Sequence, residues 1–250
     1  MRRIPKSAAW MYFNGVYSYE RGAFLIETPQ RYQPGLKGKS HEVSGRSGSV
    51  WTGDGGYSDI EVTVDIAVPE PEDRAGVNSW LTGSGALIFG DEPDLAYDAR
   101  IVKTYKRTNP YKRLSAQEYQ VTFDCQPFKR VWPEPGALVF TASGSTFFNP
   151  GTAPALPRVK IEGAGEFTVT INGQTLYFSG VESGIIVDSE LMDALTLDGT
   201  GNANNKCSGT PWELAPGAGS VSWAIVAAAE GEDPPGSVTK VTIWPRWRCI

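Results

Sequence analysis

The chain has 250 residues, enough for one large domain or two ordinary ones, and at this size it needs no disulfide or metal staples to fold. Hydrophobic residues at 40% and charged residues at 20% exclude a disordered chain, and 28 glycines with 18 prolines favour short strands and turns over long helices. The net charge of −5 excludes the basic excess of a nucleic-acid binder: residues 1–132 hold 17 Lys/Arg against 16 Asp/Glu, and residues 133–250 hold 6 against 12.

In chain order, the first elements lie in WMYFNGVYSYERGAFLIET (10–28), where aromatic and β-branched runs are broken by Asn14-Gly15 and Arg21-Gly22. Asn-Gly between such runs is a strong hairpin signal. A polar, Gly-rich stretch follows, and then Ile60, Val62, Val64 and Ile66 alternate with Glu61, Thr63 and Asp65. That period of two predicts a half-buried strand, entered through the turn Asp54-Gly55-Gly56.

One helix of about ten residues is predicted next. Pro71, Glu72 and Asp73 suit a first turn, where unpaired N–H groups and the helix dipole favour proline and acids. Val77, Trp80 and Leu81 then form one apolar face, and Gly83 is placed to end the helix. Strands follow in GALIFGDEPDLAYDARIVKTYKR and QEYQVTFDCQPF, joined by a loop around Thr108-Asn109-Pro110. The proline-rich WPEPGALV (132–139) marks a domain boundary. Beyond it the pattern is all β, with strands at 159–161, 167–171, 176–178, 185–187, 221–226 and 238–244, and Asn172-Gly173 predicts a tight hairpin.

The residues offer little chemistry. Cys125, Cys207 and Cys249 are widely spaced and odd in number, which fits neither a disulfide framework nor a zinc site and implies folding in a reducing cytoplasm. MRRIPKSAAW lacks the apolar stretch of a signal peptide, and no apolar run is long enough for a membrane span. The single histidine, His41, reads as an exposed or edge-strand residue. GRSGS (45–49) ends in Ser49 with no helix after it, so it is a β-turn and not a nucleophile elbow. GSG (83–85) lacks the Lys-Ser/Thr ending of a phosphate loop. Asp188 and Glu190 carry the spacing of paired carboxylates but read as a strand end or turn. DGTGNANN (198–205) lacks the acidic density of a calcium loop and reads as a solvated loop. No catalytic residue, metal ligand or cofactor is assigned.

Two surface features remain. Arg100, Lys103, Lys106, Arg107, Lys112 and Arg113 cluster on one hairpin with Tyr97, Tyr105 and Tyr111. Such a hairpin serves as a guarded edge or a subunit interface, and Lys103, Lys106, Arg107, Lys112 and Arg113 are the candidate interface residues. Trp212 beside Glu213 is a candidate sugar contact, since sugar sites stack a ring on an exposed aromatic beside polar groups.

FNGVYSYERG, HEVSGRSGS, DGGYSDIEV, SWLTGSGALIFGDEPDLAYDARI and VTFDCQPF resemble, in that order, the N-terminal half of siphophage distal tail (Dit) proteins. IEGAGEFTVTINGQ, GIIVDSE, NANNKCSG, ELAPGAGSVSW and VTIWPRWRC resemble that family's C-terminal domain, so the likeness spans about Phe13 to Trp247. The resemblance implies a mainly β chain of two β-sandwich domains. Residues 1–132 would form the ring domain, related to tail-tube proteins, with one short helix and extended hairpins; residues 133–250 would form a galectin-like sandwich. It further implies a homohexameric ring at the virion tail tip, assembled in the host cytoplasm. Its neighbours would be the tail-tube protein, the tail-associated fibre or lysin hub and, in some phages, receptor-binding proteins, with no sequence-specific nucleic acid and no membrane insertion. A carbohydrate-binding adhesin role for residues 133–250 is the alternative expectation, and a cell-wall hydrolase is a weaker third.

Overall fold

The computed structural model describes residues 9–103, 105–108, 116–226 and 236–250. The chain is mainly β, and it divides into two compact units, residues 1–132 with Ile250, and residues 133–249.

In the first unit the strands are β1 (Met11–Phe13), β2 (Val16–Tyr17), β3 (Phe24–Leu25), β4 (Lys39–Glu42), β5 (Ser49–Thr52) and β6 (Ile60–Val68). After helix α1 (Arg74–Trp80) come β7 (Ser84–Phe89), β8 (Leu95–Arg100), β9 (Lys106–Thr108), β10 (Gln117–Cys125) and β11 (Lys129–Val131). A curled antiparallel sheet runs β2-β1-β7-β8-β10-β6-β3, with β9 on β10 and β11 on β8. The alternation read in 60–68 holds residue for residue: Ile60, Val62, Val64, Ile66 and Val68 are buried, whereas Glu61 and Thr63 face solvent. Partnered with them in register on β10, Tyr119, Val121, Phe123 and Cys125 point the same way, because both strands put alternate side chains on one face. Asn14 and Gly15, both at positive φ, close the β1–β2 hairpin.

The helix is shorter than the ten residues expected. Pro71–Asp73 form a 3-10 turn, and α1 proper has seven residues before Leu81 leaves helical geometry. Proline and the acids open the element as their chemistry dictates, and Val77, Trp80 and Leu81 are buried. The indole Nε1 of Trp80 donates to Phe13 O at 2.9 Å, which ties the helix to β1. The polar, Gly-rich stretch is not a plain loop: β4 and β5 form a separate two-stranded hairpin, with GRSGS in its turn and His41 exposed on β4.

The second unit contains β12 (Leu138–Phe140), β13 (Ser145–Asn149), β14 (Arg158–Ile171), β15 (Gln174–Val181), β16 (Gly184–Asp188), β17 (Asp193–Thr196), β18 (Cys207–Ser208), β19 (Gly217–Ile225) and β20 (Ser237–Trp244). Two of the expected strands, 159–161 and 167–171, are halves of one 14-residue strand, β14. Its first half pairs β16 and β20, its second half pairs β15 and β19, and register shifts at Gly163 and after Gly165 bend it from one layer into the other. Gly163 is required at the bend: a Cβ there would sit 2.2 Å from Ser237 O. The layers β12-β20-β14-β16-β17 and β13-β19-β14-β15-β18 thus share a strand and enclose Val159, Ile161, Phe167, Val169, Phe178 and Ile243. Asn172-Gly173 closes the predicted hairpin, with Ile171 facing Gln174 and both turn residues at positive φ.

Candidate interaction surfaces

The basic segment after β8 is partly neutralised within its own unit. Arg100 Nε donates to Asp124 at 2.9 Å and Arg100 Nη2 reaches Asp59 at 3.2 Å, so hydrogen bonding and the charge of Asp124 raise the guanidinium pKa further. Lys103 pairs with Glu61. Lys106 and Arg107 lie on β9 opposite Gln120 and Tyr119, exposed, and form no ion pair among the described residues. Tyr105 packs near Tyr119 with ring centres 6.0 Å apart, and its hydroxyl donates to Asn78 Oδ1 at 3.3 Å. Leu81, Ile101, Val102, Lys103, Tyr105 and Arg107 line a shallow groove there, in which Val102 is 61% exposed. The segment is therefore a mixed basic and apolar edge. Lys112 and Arg113, like Tyr111, lie outside the described residues.

The sugar-contact expectation at Trp212 is corrected by its burial. Its relative exposure is 0%, its ring packs near Phe178 with centres 6.2 Å apart, and its Nε1 donates to Gln174 O at 2.9 Å. A ring with both faces in the core cannot stack on a sugar. Glu213 is exposed, and its backbone N–H is held by Gln174 Oε1 at 2.8 Å. Neighbouring side chains in extended chain point opposite ways, so an exposed Glu213 accompanies a buried Trp212 and the two do not form a surface pair.

Asp188 and Glu190 face an arginine that the sequence reading did not connect to them. Arg246, at φ 51°, donates from both terminal nitrogens to the Asp188 carboxylate at 2.7 and 2.9 Å, and lies 3.0 Å from Glu190. Burial by itself would raise the pKa of Asp188, but hydrogen bonds and charge from Arg246, with the backbone N–H groups of Leu191 and Glu190, outweigh it and hold the carboxyl below its usual range. This is a structural clasp across the unit. In 198–205 the side chains are likewise spent on the turn itself: Asp198 accepts from Thr196 and Thr200, and Asn202 accepts from the Asn204 N–H.

A second charged cluster escaped sequence reading because its members are far apart in the chain. Arg31 and Lys129 both bond Glu92, at 2.6 and 2.9 Å, while Arg31 lies over the Phe89 ring and Lys129 over that of Tyr97. Burial opposes ionisation of Glu92, yet bonds from Lys129 and Arg31 lower its pKa on balance. Burial pushes the Cys125 thiol up to about 12 and the Cys207 thiol up to about 11, which makes both poor nucleophiles. No group of three His, Cys, Asp or Glu side chains arranged for a metal ion occurs among the described residues.

No protein-family model matches the chain, and no curated protein matches it in sequence. Among solved structures it is similar to the Dit protein (gp 19.1) of SPP1, described as a paradigm of the hub adsorption apparatus in phages infecting Gram-positive hosts. The TM-score is 0.67 at 16% sequence identity, over 94% of this chain and 97% of that one. Along nearly its whole length, the chain has the fold of a phage Dit protein.

Proposed function

We propose that this chain is a structural protein of a phage tail tip, a distal tail protein whose copies form a six-membered ring. The observation that carries the reading is the fold likeness to SPP1 Dit, which runs through both units and not only one. In this reading residues 1–132 build the ring and residues 133–250 form an outer, galectin-like domain. The ring joins the tail tube to the tail-associated hub and, where present, to receptor-binding proteins. The protein acts by assembly, not by catalysis.

The charge distribution supports it. Residues 1–132 are nearly neutral, so copies can pack closely without strong self-repulsion, and the acidic residues 133–250 keep an assembly soluble. The exposed Lys106 and Arg107, beside the groove at Val102, are candidates for contact with a neighbouring copy.

Light scattering on the purified chain tests the proposal. A species of about six protomers, seen as rings by electron microscopy, is the expected result. A mass of one protomer across concentrations from about 1 to 100 μM would overturn the ring.

A further inference from the structure

Residues 35–58 form an arm without a core of its own. At its root Lys37 N–H donates to Gly56 O at 2.8 Å, Ser58 N–H to Gly35 O at 2.9 Å, and the Tyr57 ring meets Phe128 edge-on at 5.2 Å. Beyond the root, β4 and β5 pair only with each other. From residue 35 to residue 55 every residue except Val50 is exposed, including Leu36 (53%), Val43 (47%) and Trp51 (55%). A lone two-stranded hairpin is at best marginally stable in water, so an arm that carries exposed apolar groups gains from cover. Its shape is nonetheless set: the Trp51 ring lies across Gly38, where a Cβ would come within 2.4 Å of it.

The arm has a charged side. The β4–β5 register puts Lys39 and His41 on one face with Thr52 and Val50, and that face of the two strands carries no carboxylate. Glu42 is on the opposite face with Ser40, Ser49 and Trp51, and Asp54 turns inward to accept the Gly56 N–H. Lys37 stands at the root and Arg46 in the turn.

The same unit carries a groove of opposite sign. Glu27, Tyr32, Glu61, Thr63 and Asp65 line it together with Pro29 and Gln30, which makes three carboxylates and no cation. Glu61, Thr63 and Asp65 alternate along β6, so their side chains recur about every 6.6 Å, the spacing at which Lys39 and His41 recur along β4. Glu61 meets Lys103 of its own chain, but that pair is more than half exposed on both sides and so contributes little.

We infer that the arm of one copy lies in the acidic groove of the next, its Lys39–His41 face against Glu27, Glu61 and Asp65. A projecting cationic element and a receptor of opposite sign on one chain are unlike surfaces, and unlike surfaces join copies head to tail, the geometry that closes into rings. The inference rests on the ring reading and adds the contact that closes it.

Three variants of the full chain test it: Lys39→Glu with His41→Glu, Glu61→Lys with Asp65→Lys, and all four changes together. Light scattering at low and high salt reads assembly, and thermal melting reads folding. Each pair should raise the concentration needed for assembly by about ten-fold or more, since like charges then face each other. The fourfold variant should recover most of that loss, and mixing the two paired variants should restore assembly that neither gives alone, because the arm of each then meets a groove of opposite charge on the other. Melting should be unchanged, because the altered side chains are exposed or only partly buried. If the wild-type chain assembles and the paired variants assemble equally well, or the fourfold variant fails to recover, the arm contact is overturned while the ring stands. A wild-type chain that stays monomeric overturns both.

Discussion

Trp80 and Trp212 are both buried tryptophans that donate an indole N–H to a backbone carbonyl, at Phe13 and Gln174. Trp80 is the anchor of a helix too short to persist alone in water, so its packing supplies the helix with most of its stability. Trp80→Ala should cost about 3–5 kcal/mol, with a fall in melting temperature on the order of 10 °C. A melt unchanged from wild type would place the ring outside the core. Asp188 gives a prediction in pH. Its folded pKa is depressed, so the stability it contributes is fully present above the unfolded value near 4 and is lost as pH falls through the folded value. Asp188→Asn, which leaves the part-buried Arg246 with only Glu190 as its carboxylate partner, should cost about 1.5–3 kcal/mol at pH 7. Denaturant titrations from pH 7 to pH 2 should show the two proteins converging at the acid end. A constant difference across that range would sink the assignment.

At the scale of the element, hairpins with explicit turn chemistry formed where their residues demanded. Asn172-Gly173 is the cleanest case, because Gly173 at φ 79° has open space where a Cβ would be. Gly173→Ala should therefore destabilise by about 1 kcal/mol through backbone strain alone, whereas Gly136→Ala, with open space and no such φ, should be neutral. Equal melts for the two variants would refute the strain account. The β4–β5 arm and β14 are the opposite case. The arm lacks the apolar alternation that betrays a strand, since neither of its faces is buried in its own chain. In β14, Gly163, Ala164 and Gly165 look like a break between two strands, and only pairing on both sides makes them a bend within one.

At the scale of the whole molecule, the contact division falls between Trp132 and Pro133, within the proline-rich segment where the charge balance also changes. Limited proteolysis should accordingly yield stable fragments that meet within 132–139. Cuts confined to other sites, with none surviving at that segment, would argue against separable domains. The paired cations on Glu92 and the Arg246 clasp show why charged sites were harder to read than strands. Arg31 and Glu92 are 61 residues apart, and Asp188 and Arg246 are 58 apart. A pattern confined to a few neighbours cannot report such a meeting.

The sequence by itself determined the β character, the short helix with its buried face, the tight turns and the change in charge near residue 132. Each of these depends on side chains within a few positions of one another, through backbone dihedral limits and the two- and 3.6-residue periods. Only the tertiary structure decided that Trp212 is core, that Asp188 and Glu190 are held by Arg246, and that the Gly-rich stretch stands out as an arm. Burial and charge pairing are set by which strands meet, and strand pairing joins residues whose distance along the chain carries no local signal.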